Sequence, residues 1–231
     1  MSAAIAVLHA PGTNRDGEAA RAIGRAGGSA EIVMADADLG PVAGVVVPGG
    51  FSHGDALGAG NRMALDCGAS LAAFAATGRP VLGICNGFQV LVRAGLLPGC
   101  GGGDVTLTHN AGGAFVCRWV TLAFGASQAA LGPLTVACPV AHGEGRLAVS
   151  NPDAVSRLEA GGQVLCRYVE GTNPNGSVGD IAGLCNPAGN VWGLMPHPED
   201  HVQAAQNPFG GRPGREGLPL FEAFVARARA H

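Results

Sequence analysis

Short, continuously apolar segments alternate with helical segments through the first half of the chain, and this alternation constrains the fold more than any other feature. The predicted strands cover residues 4–9, 30–34, 42–47 and 80–84, and the predicted helices cover residues 16–26, 61–77 and 86–94. Strands that are apolar at consecutive positions are typical of a parallel sheet with both faces covered by helices. We therefore predict an α/β fold with a mostly parallel central sheet and helices on both faces.

The second half of the sequence is predicted to add antiparallel strands. Strand-like segments at residues 105–107, 114–122, 134–138, 164–169 and 181–185 are separated by turn signals such as Asn173-Pro-Asn-Gly. Residues 191–195 are predicted to form a last core strand, and residues 218–230 are predicted to form a terminal helix. Between them, residues 199–217 are rich in proline and glycine and are predicted to form a loop. Because we find no repeat and no linker, we predict one domain over residues 1–231.

Charge and cysteine content exclude several classes of protein. The net charge of −3 comes from 14 basic and 17 acidic residues mixed along the chain, so nothing indicates nucleic-acid binding. The first ten residues lack the basic start of a signal peptide, and no apolar run of about 18 residues indicates a membrane span. Seven scattered cysteines without a CxxC pair argue against zinc sites and disulfides. We expect reduced thiols and a cytoplasmic location.

Cys85 is the candidate nucleophile. The segment Gly83-Ile84-Cys85-Asn86-Gly87 places it where a buried strand meets a helix, with a glycine two residues away on each side. Such a turn needs close backbone approach on both sides, and the helix N-terminus favours a thiolate and faces any oxyanion formed there. Cys117, Cys138, Cys166 and Cys185 lie in apolar strand candidates and are predicted to be small core residues, while Cys67 and Cys100 stay unassigned.

His197 is the candidate base and Glu199 the group that orients it. Met195-Pro196-His197-Pro198-Glu199 follows the last core strand, which should place it at the sheet edge that carries Cys85. Among the other histidines, His142 also has a carboxylate, Glu144, close in sequence. A third motif, Pro48-Gly49-Gly50, ends a buried strand in a turn whose N–H groups could face a pocket.

Together these motifs resemble the class I, or triad, glutamine amidotransferases, whose fold is flavodoxin-like. The order of Pro48-Gly49-Gly50, Gly83-x-Cys85-x-Gly87 with Gln89, and His197-x-Glu199 matches that family. Further stretches resemble its glutaminase subunits that serve a synthetase of purine biosynthesis. These stretches are Gly49-Gly-Phe-Ser-His-Gly-Asp55, Phe115-Val-Cys-Arg-Trp-Val120, Pro139-Val-Ala-His-Gly-Glu-Gly-Arg146, Asn173-Pro-Asn-Gly-Ser177 and Met195-Pro-His-Pro-Glu199.

The resemblance implies a role for each matching residue. Cys85 would be the nucleophile, His197 the base and Glu199 its orienter. Gly50 and Asn86 would supply the N–H groups of an oxyanion hole, and Gln89 would help to hold the substrate glutamine. The segment 141–145 would face the substrate or a partner, or would be structural.

The resemblance also implies partners and cofactors. It implies a large synthetase subunit that uses ATP and Mg²⁺, and a small third subunit. This chain would need no metal or organic cofactor of its own, and it has no G-x-x-x-x-G-K-[S/T] sequence for ATP.

Three departures from the family pattern bear on glutamine affinity and on contacts with the synthetase. Arg15 stands where the family usually has cysteine, Asp200 stands where a basic residue often follows His-Pro-Glu, and Gly112-Gly113-Ala114-Phe115 replaces Ser-Gly-Arg-Phe. Two alternatives remain at this point. One is another cysteine hydrolase of the same fold family, which would not need Gln89. The other is a catalytically inactive assembly subunit, which an intact triad disfavours.

Overall fold

The computed structural model describes residues 2–55, 58–99, 102–169, 171–210, 214 and 216–231. Its first half alternates strands and helices as the sequence predicts. The elements are β1 (Ala4–His9), α1 (Asp16–Arg25), β2 (Ser29–Met34), β3 (Gly44–Val47), α2 (Asn61–Ala76), β4 (Val81–Ile84) and α3 (Asn86–Arg93). The predicted bounds differ from these by at most two residues.

The second half contains more strands than the sequence indicated. The elements are β5 (Val105–His109), β6 (Val116–Phe124), β7 (Leu134–His142), β8 (Glu144–Val149), α4 (Asp153–Ala160), β9 (Val164–Tyr168), β10 (Ile181–Cys185), β11 (Val191–Leu194) and α5 (Leu218–Arg229). The strand predicted at 134–138 continues to His142, and β8 and α4 were not predicted. Helix α4 has two turns and buries only Ala154 and Leu158, which leaves a weak helical pattern. The loop predicted at 199–217 includes two short 3₁₀ turns, Pro198–His201 and Ala204–Gln206.

Nine strands form one mixed sheet in the order β2-β1-β3-β4-β11-β10-β9-β6-β7. The five strands from β2 to β11 are parallel to one another, and the remaining strands extend the same sheet with antiparallel pairing. Strands β5 and β8 form a separate antiparallel pair. The α/β prediction with a parallel centre and added antiparallel strands is confirmed.

Successive strands are added first on one side of β1 and then on the other, and this change of direction puts helices on both faces of the sheet. Strand β2 lies on one side of β1, whereas β3 and β4 lie on the other, so right-handed crossovers place α1 and α2 on opposite faces. Helix α5 packs with α1, and α3 packs with α2. The carboxyl ends of β1, β3, β4 and β11 therefore meet at one edge, the usual location of a ligand site in an open α/β sheet.

Most of the predicted core cysteines are buried, but Cys117 is not. Cys138, Cys166 and Cys185 are buried, and so is Cys67 in α2, whereas Cys117 is exposed. Strand β9 pairs only with residues 122–124 of β6. The first half of β6, which contains Cys117, therefore extends past the end of β9. The prediction for Cys117 was therefore wrong. Cys100 lies outside the described residues.

Among the described residues, no helix combines the length and the hydropathy needed to cross a bilayer.

Candidate active site

Cys85 occupies the sharp turn between β4 and α3. Its backbone angles are φ 51° and ψ −105°, a left-handed conformation that a residue other than glycine rarely adopts. Such strain persists where the surrounding structure imposes it, commonly at functional sites. The turn carries the thiol to the carboxyl edge of the sheet, where it is 5% exposed.

The flanking glycines make this turn possible. A Cβ atom on Gly87 would lie 1.8 Å from the carbonyl oxygen of Val47, and one on Gly83 would lie 2.6 Å from the carbonyl oxygen of Gly87. Both obstacles are backbone atoms, which cannot rotate away as a side chain can. The close approach of α3 to β3 and β4 therefore requires glycine at both positions.

His197 and Glu199 form a buried pair at the end of β11. The Nδ1 atom of His197 lies 2.7 Å from Oε1 of Glu199, and both side chains are almost fully buried. Burial lowers the pKa of the imidazole, but the charges of Glu199 and Cys85 and hydrogen bonds to both raise it, leaving it well above its ordinary value. Because Nδ1 of His197 is hydrogen-bonded to Glu199, Nε2 is the ring nitrogen available for a hydrogen bond with the Cys85 sulfur.

Parallel pairing of β4 and β11 brings the nucleophile and the base together. The N–H of Cys85 donates to the carbonyl of Leu194 at 2.8 Å, so the turn that carries Cys85 lies beside the segment that carries His197. Gly49 lies against the imidazole, since a Cβ atom there would be 2.6 Å from Cε1 of His197. The three predicted triad residues therefore meet at one place, although 112 positions separate Cys85 from His197.

Gly50 lines the same cavity as Cys85, and Asn86 is the next residue after Cys85 in the chain. Among the described residues, the backbone N–H groups of Gly50 and Asn86 donate to no protein acceptor. Gly50 has φ 153°, and a Cβ atom there would lie 2.7 Å from Cα of Thr13. The Asn86 side chain ties the two segments together, because its Oδ1 accepts from the N–H of Ser52 at 3.3 Å. This arrangement can serve as an oxyanion hole.

Gln89 joins α3 to the start of β8. Its Oε1 accepts from Nδ2 of Asn86 at 2.9 Å, and its Nε2 donates to the backbone carbonyl of Glu144. The side chain is 5% exposed and borders a cavity of about 240 Å³. The residues that line this cavity include Gly50, Cys85, Gln89, Phe115, His142 and Glu144. Gln89 thus supports the cavity wall as well as lining it.

The segment 141–145, whose role the sequence left open, forms part of this cavity. The Cys85 sulfur lies 3.8 Å from the carbonyl oxygen of Ala141, and the buried His142 packs against Gly145. Burial and the nearby His197 lower the pKa of His142 to about 4, so its ring is neutral at physiological pH. Sequence reasoning singled out this segment through the closeness of His142 to Glu144 and through its resemblance to the family.

Two departures from the family pattern pair with each other. Nε of Arg15 lies 3.2 Å from Oδ2 of Asp200, next to the His197–Glu199 pair. Burial and the charge of Glu199 raise the pKa of Asp200, against the opposite influence of His197 and Arg15. The third departure lies on an exposed turn, where Gly112 and Ala114 carry no long side chain and the carbonyl of Ala114 accepts from Asn110.

Metal-ligand atoms converge only at this site within the described part of the chain. His197, Glu199 and Asp200 offer atoms within 4.8 Å of one another. Glu199 is hydrogen-bonded to His197 and Asp200 is paired with Arg15, so these groups already have partners within the protein.

A larger cavity, of about 390 Å³, lies near β6 and β9 and carries no comparable chemistry. Its charged lining residues, Glu159 and Arg167, are paired with each other. Burial raises the pKa of its one thiol, Cys166, so that thiol stays protonated. The smaller cavity at Cys85 is therefore the candidate active site.

Comparison with known proteins identifies the family. The profile of the CobB/CobQ-like glutamine amidotransferase domain matches residues 2–226. The phosphoribosylformylglycinamidine synthase subunit PurQ of Chelativorans sp. (strain BNC1) is 43% identical over 232 residues, which cover 96% of this chain and 98% of that protein. The chain belongs to the PurQ family.

Other PurQ relatives are similar to the same extent. The subunit from Rubrobacter xylanophilus is 45% identical over 236 residues, covering 97% of this chain and 99% of its own. In the solved structure of PurLQS from Thermotoga maritima, one chain matches with a TM-score of 0.81 and 32% identity, covering 98% of this chain and 99% of that one. The predicted resemblance to class I glutamine amidotransferases is confirmed.

Proposed function

We propose that this chain is the glutaminase subunit of phosphoribosylformylglycinamidine synthase. It hydrolyses glutamine to glutamate and ammonia through a thioester on Cys85, and it supplies the ammonia to a synthetase subunit. That subunit converts formylglycinamide ribonucleotide to formylglycinamidine ribonucleotide in purine biosynthesis. The observation that supports the proposal is the contact of Cys85, which lines the cavity, with His197, which is hydrogen-bonded to Glu199.

The first half-reaction forms the thioester. His197 takes the proton of Cys85, and the thiolate attacks the amide carbon of glutamine. The N–H groups of Gly50 and Asn86 stabilise the oxyanion, and each donor of this kind is typically worth about 2.7–4 kcal/mol. The protonated His197 then gives its proton to the departing nitrogen, which leaves as ammonia.

The second half-reaction releases glutamate. Neutral His197 takes a proton from a water molecule that attacks the thioester, and the same oxyanion site is used again. When the C–S bond breaks, the proton returns to the sulfur. Throughout, Glu199 keeps Nδ1 of His197 protonated so that Nε2 handles the proton.

ATP chemistry is assigned to a partner. The chain lacks a Walker A sequence, and its proposed reaction needs no metal or organic cofactor. We expect ATP and Mg²⁺ to act in the large synthetase subunit, with a small third subunit in the same complex. The relatives are named as subunits, and the Thermotoga maritima structure is named as a PurLQS assembly, which supports this arrangement.

A glutaminase assay with and without the synthetase subunit tests the proposal. We expect weak release of glutamate by the isolated chain, strong stimulation by the partner, and no activity from Cys85→Ala. Cys117→Ala is the matched control because Cys117 is an exposed thiol outside the cavity.

Equal activity of wild type and Cys85→Ala would refute the assignment of Cys85 as the nucleophile. Cleavage of peptides or esters instead of glutamine would favour the other cysteine hydrolases, and inactivity with the partner present would favour an assembly subunit.

A further inference from the structure

The cavity at Cys85 contains acidic groups that the proposed mechanism does not use. Asp55 and Glu144 both line it. Among the described residues, Asp55 forms no ion pair, and its Oδ1 is buried without a hydrogen-bond partner. Glu144 has one weak cationic neighbour, His109, at 3.7 Å and with its side chain 76% exposed. The two carboxylates thus lack a strong positive partner within the described protein.

The electrostatics of the cavity favour a bound cation. Burial and the charge of Glu144 raise the pKa of Asp55, so the Glu144 carboxylate repels the charged form of Asp55. A positive group placed between them would remove this repulsion and gain the attraction of both. Partial burial of an unpaired carboxylate lowers the stability of the folded chain unless a positive group binds to it.

His142 adds an independent sign of a ligand in the same cavity. Asn110 donates through Nδ2 to the carbonyls of Ala114 and His142, so its Oδ1 must accept from Nδ1 of His142 at 3.0 Å. The proton of the neutral ring is therefore on Nδ1, and Nε2 is an acceptor. That atom is buried and has no partner among the described residues, although the side chain is only 3% exposed.

The thiol and the two carboxylates line one cavity but differ in how deeply they are buried. Cys85 lies at the buried end, whereas Asp55 and Glu144 lie on more exposed parts of the same lining. Glutamine carries its carboxamide at one end and its ammonium at the other. A substrate whose carboxamide reaches the sulfur would thus carry its ammonium towards the acidic side.

We propose that Asp55 and Glu144 bind the α-ammonium group of glutamine and so select an amino acid over a simple amide. This assignment rests on the proposed glutaminase function and names the part of the substrate that these two side chains recognise. The same chemistry could instead hold the departing ammonia as ammonium. The two sources differ, because only the first depends on the α-amino group of the substrate.

The test compares glutamine with 4-carbamoylbutanoate, which is glutamine without its α-amino group. Glutamate or glutarate release is measured in the complex with the synthetase subunit for wild type, Asp55→Asn and Glu144→Gln. We expect each variant to lower kcat/KM for glutamine about tenfold, as loss of a hydrogen bond to a charged group would, and to change that for 4-carbamoylbutanoate much less. The preference for glutamine should therefore narrow, mainly through KM.

Two features keep the test decisive. Asparagine tolerates the left-handed conformation of Asp55 at φ 53°, and Glu144→Gln on β8 is a second variant that leaves the backbone carbonyl bonded to Gln89. Asp36→Asn, which removes an exposed carboxylate outside this cavity, is the control.

An unchanged preference for glutamine in both variants would overturn the proposal. Equal losses of kcat/KM for glutamine and for 4-carbamoylbutanoate would instead assign the carboxylates to binding of the departing ammonia. Absence of glutamate release by the wild-type complex would refute the glutaminase function itself.

Discussion

The guanidinium of Arg15 lies 3.2 Å from the carboxylate of Asp200, and this ion pair adjoins the His197–Glu199 pair of the active site. Both residues depart from the pattern of the related glutamine amidotransferases, and each supplies the partner that the other needs. Arg15 and His197 oppose the effect of burial and of the Glu199 charge on the pKa of Asp200, and loss of Arg15 would remove one of these two influences. The two departures therefore act as a compensating pair.

A double-mutant cycle should detect this pairing. We expect Arg15→Gln and Asp200→Asn to be coupled by about 0.5–1 kcal/mol in the free energy of unfolding, with the double variant more stable than the sum of single losses implies. The side chains are 37% and 21% exposed, which limits the coupling to this range. Urea unfolding at low salt measures it. Strict additivity of the two losses would show that the ion pair contributes nothing.

Glu199→Gln should impair catalysis while preserving the fold. A neutral amide stabilises the protonated imidazole less than a carboxylate does, so the pKa of His197 should fall and its tautomer should be less well defined. We expect kcat/KM for glutamine to drop about 10²- to 10⁴-fold. Glu222→Gln on the exposed face of α5 is the control. Wild-type kcat/KM in Glu199→Gln would exclude an orienting role for Glu199.

Gly87→Ala should disrupt the turn that carries Cys85. Its methyl group would meet the carbonyl oxygen of Val47 at 1.8 Å, and α3 would have to move away from β3. We expect a loss of unfolding free energy of about 1–3 kcal/mol or more, together with loss of glutaminase activity. Gly24→Ala in α1 meets nothing within 4 Å and should stabilise the chain by about 0.5–1 kcal/mol. Similar thermal denaturation of the two variants would contradict this packing argument.

His142 should make the chain sensitive to acid. Its pKa is about 4 in the folded chain and about 6.5 when unfolded, so the unfolded state binds more protons between these values. The contribution of the neutral ring is complete above about pH 6.5 and is lost as the pH falls towards 4. Between pH 7 and pH 4.5, we expect wild type to lose about 2–3 kcal/mol more unfolding free energy than His142→Gln. Parallel stability profiles for the two proteins would show that His142 is not held neutral.

The sequence determined the central sheet, the turn at Cys85 and the His197–Glu199 pair. Each depends on a local pattern, such as continuous apolar strands, glycines two residues either side of a cysteine, or a histidine and a carboxylate two positions apart. Parallel strands end at one edge, so these local patterns were sufficient to predict that Cys85 and His197 would meet.

Only the tertiary structure decided what surrounds the sulfur. The junction of β7 and β8 is held to α3 by the contact of Gln89 with the Glu144 backbone, 55 positions away, and His142 and Glu144 from this junction line the cavity together with Asp55. The sequence showed neither β8 nor the exposure of Cys117, because strand pairing and coverage depend on which distant segments pack together. Local periodicity carries no information about such partners, and so the acidic side of the cavity became visible only in the folded chain.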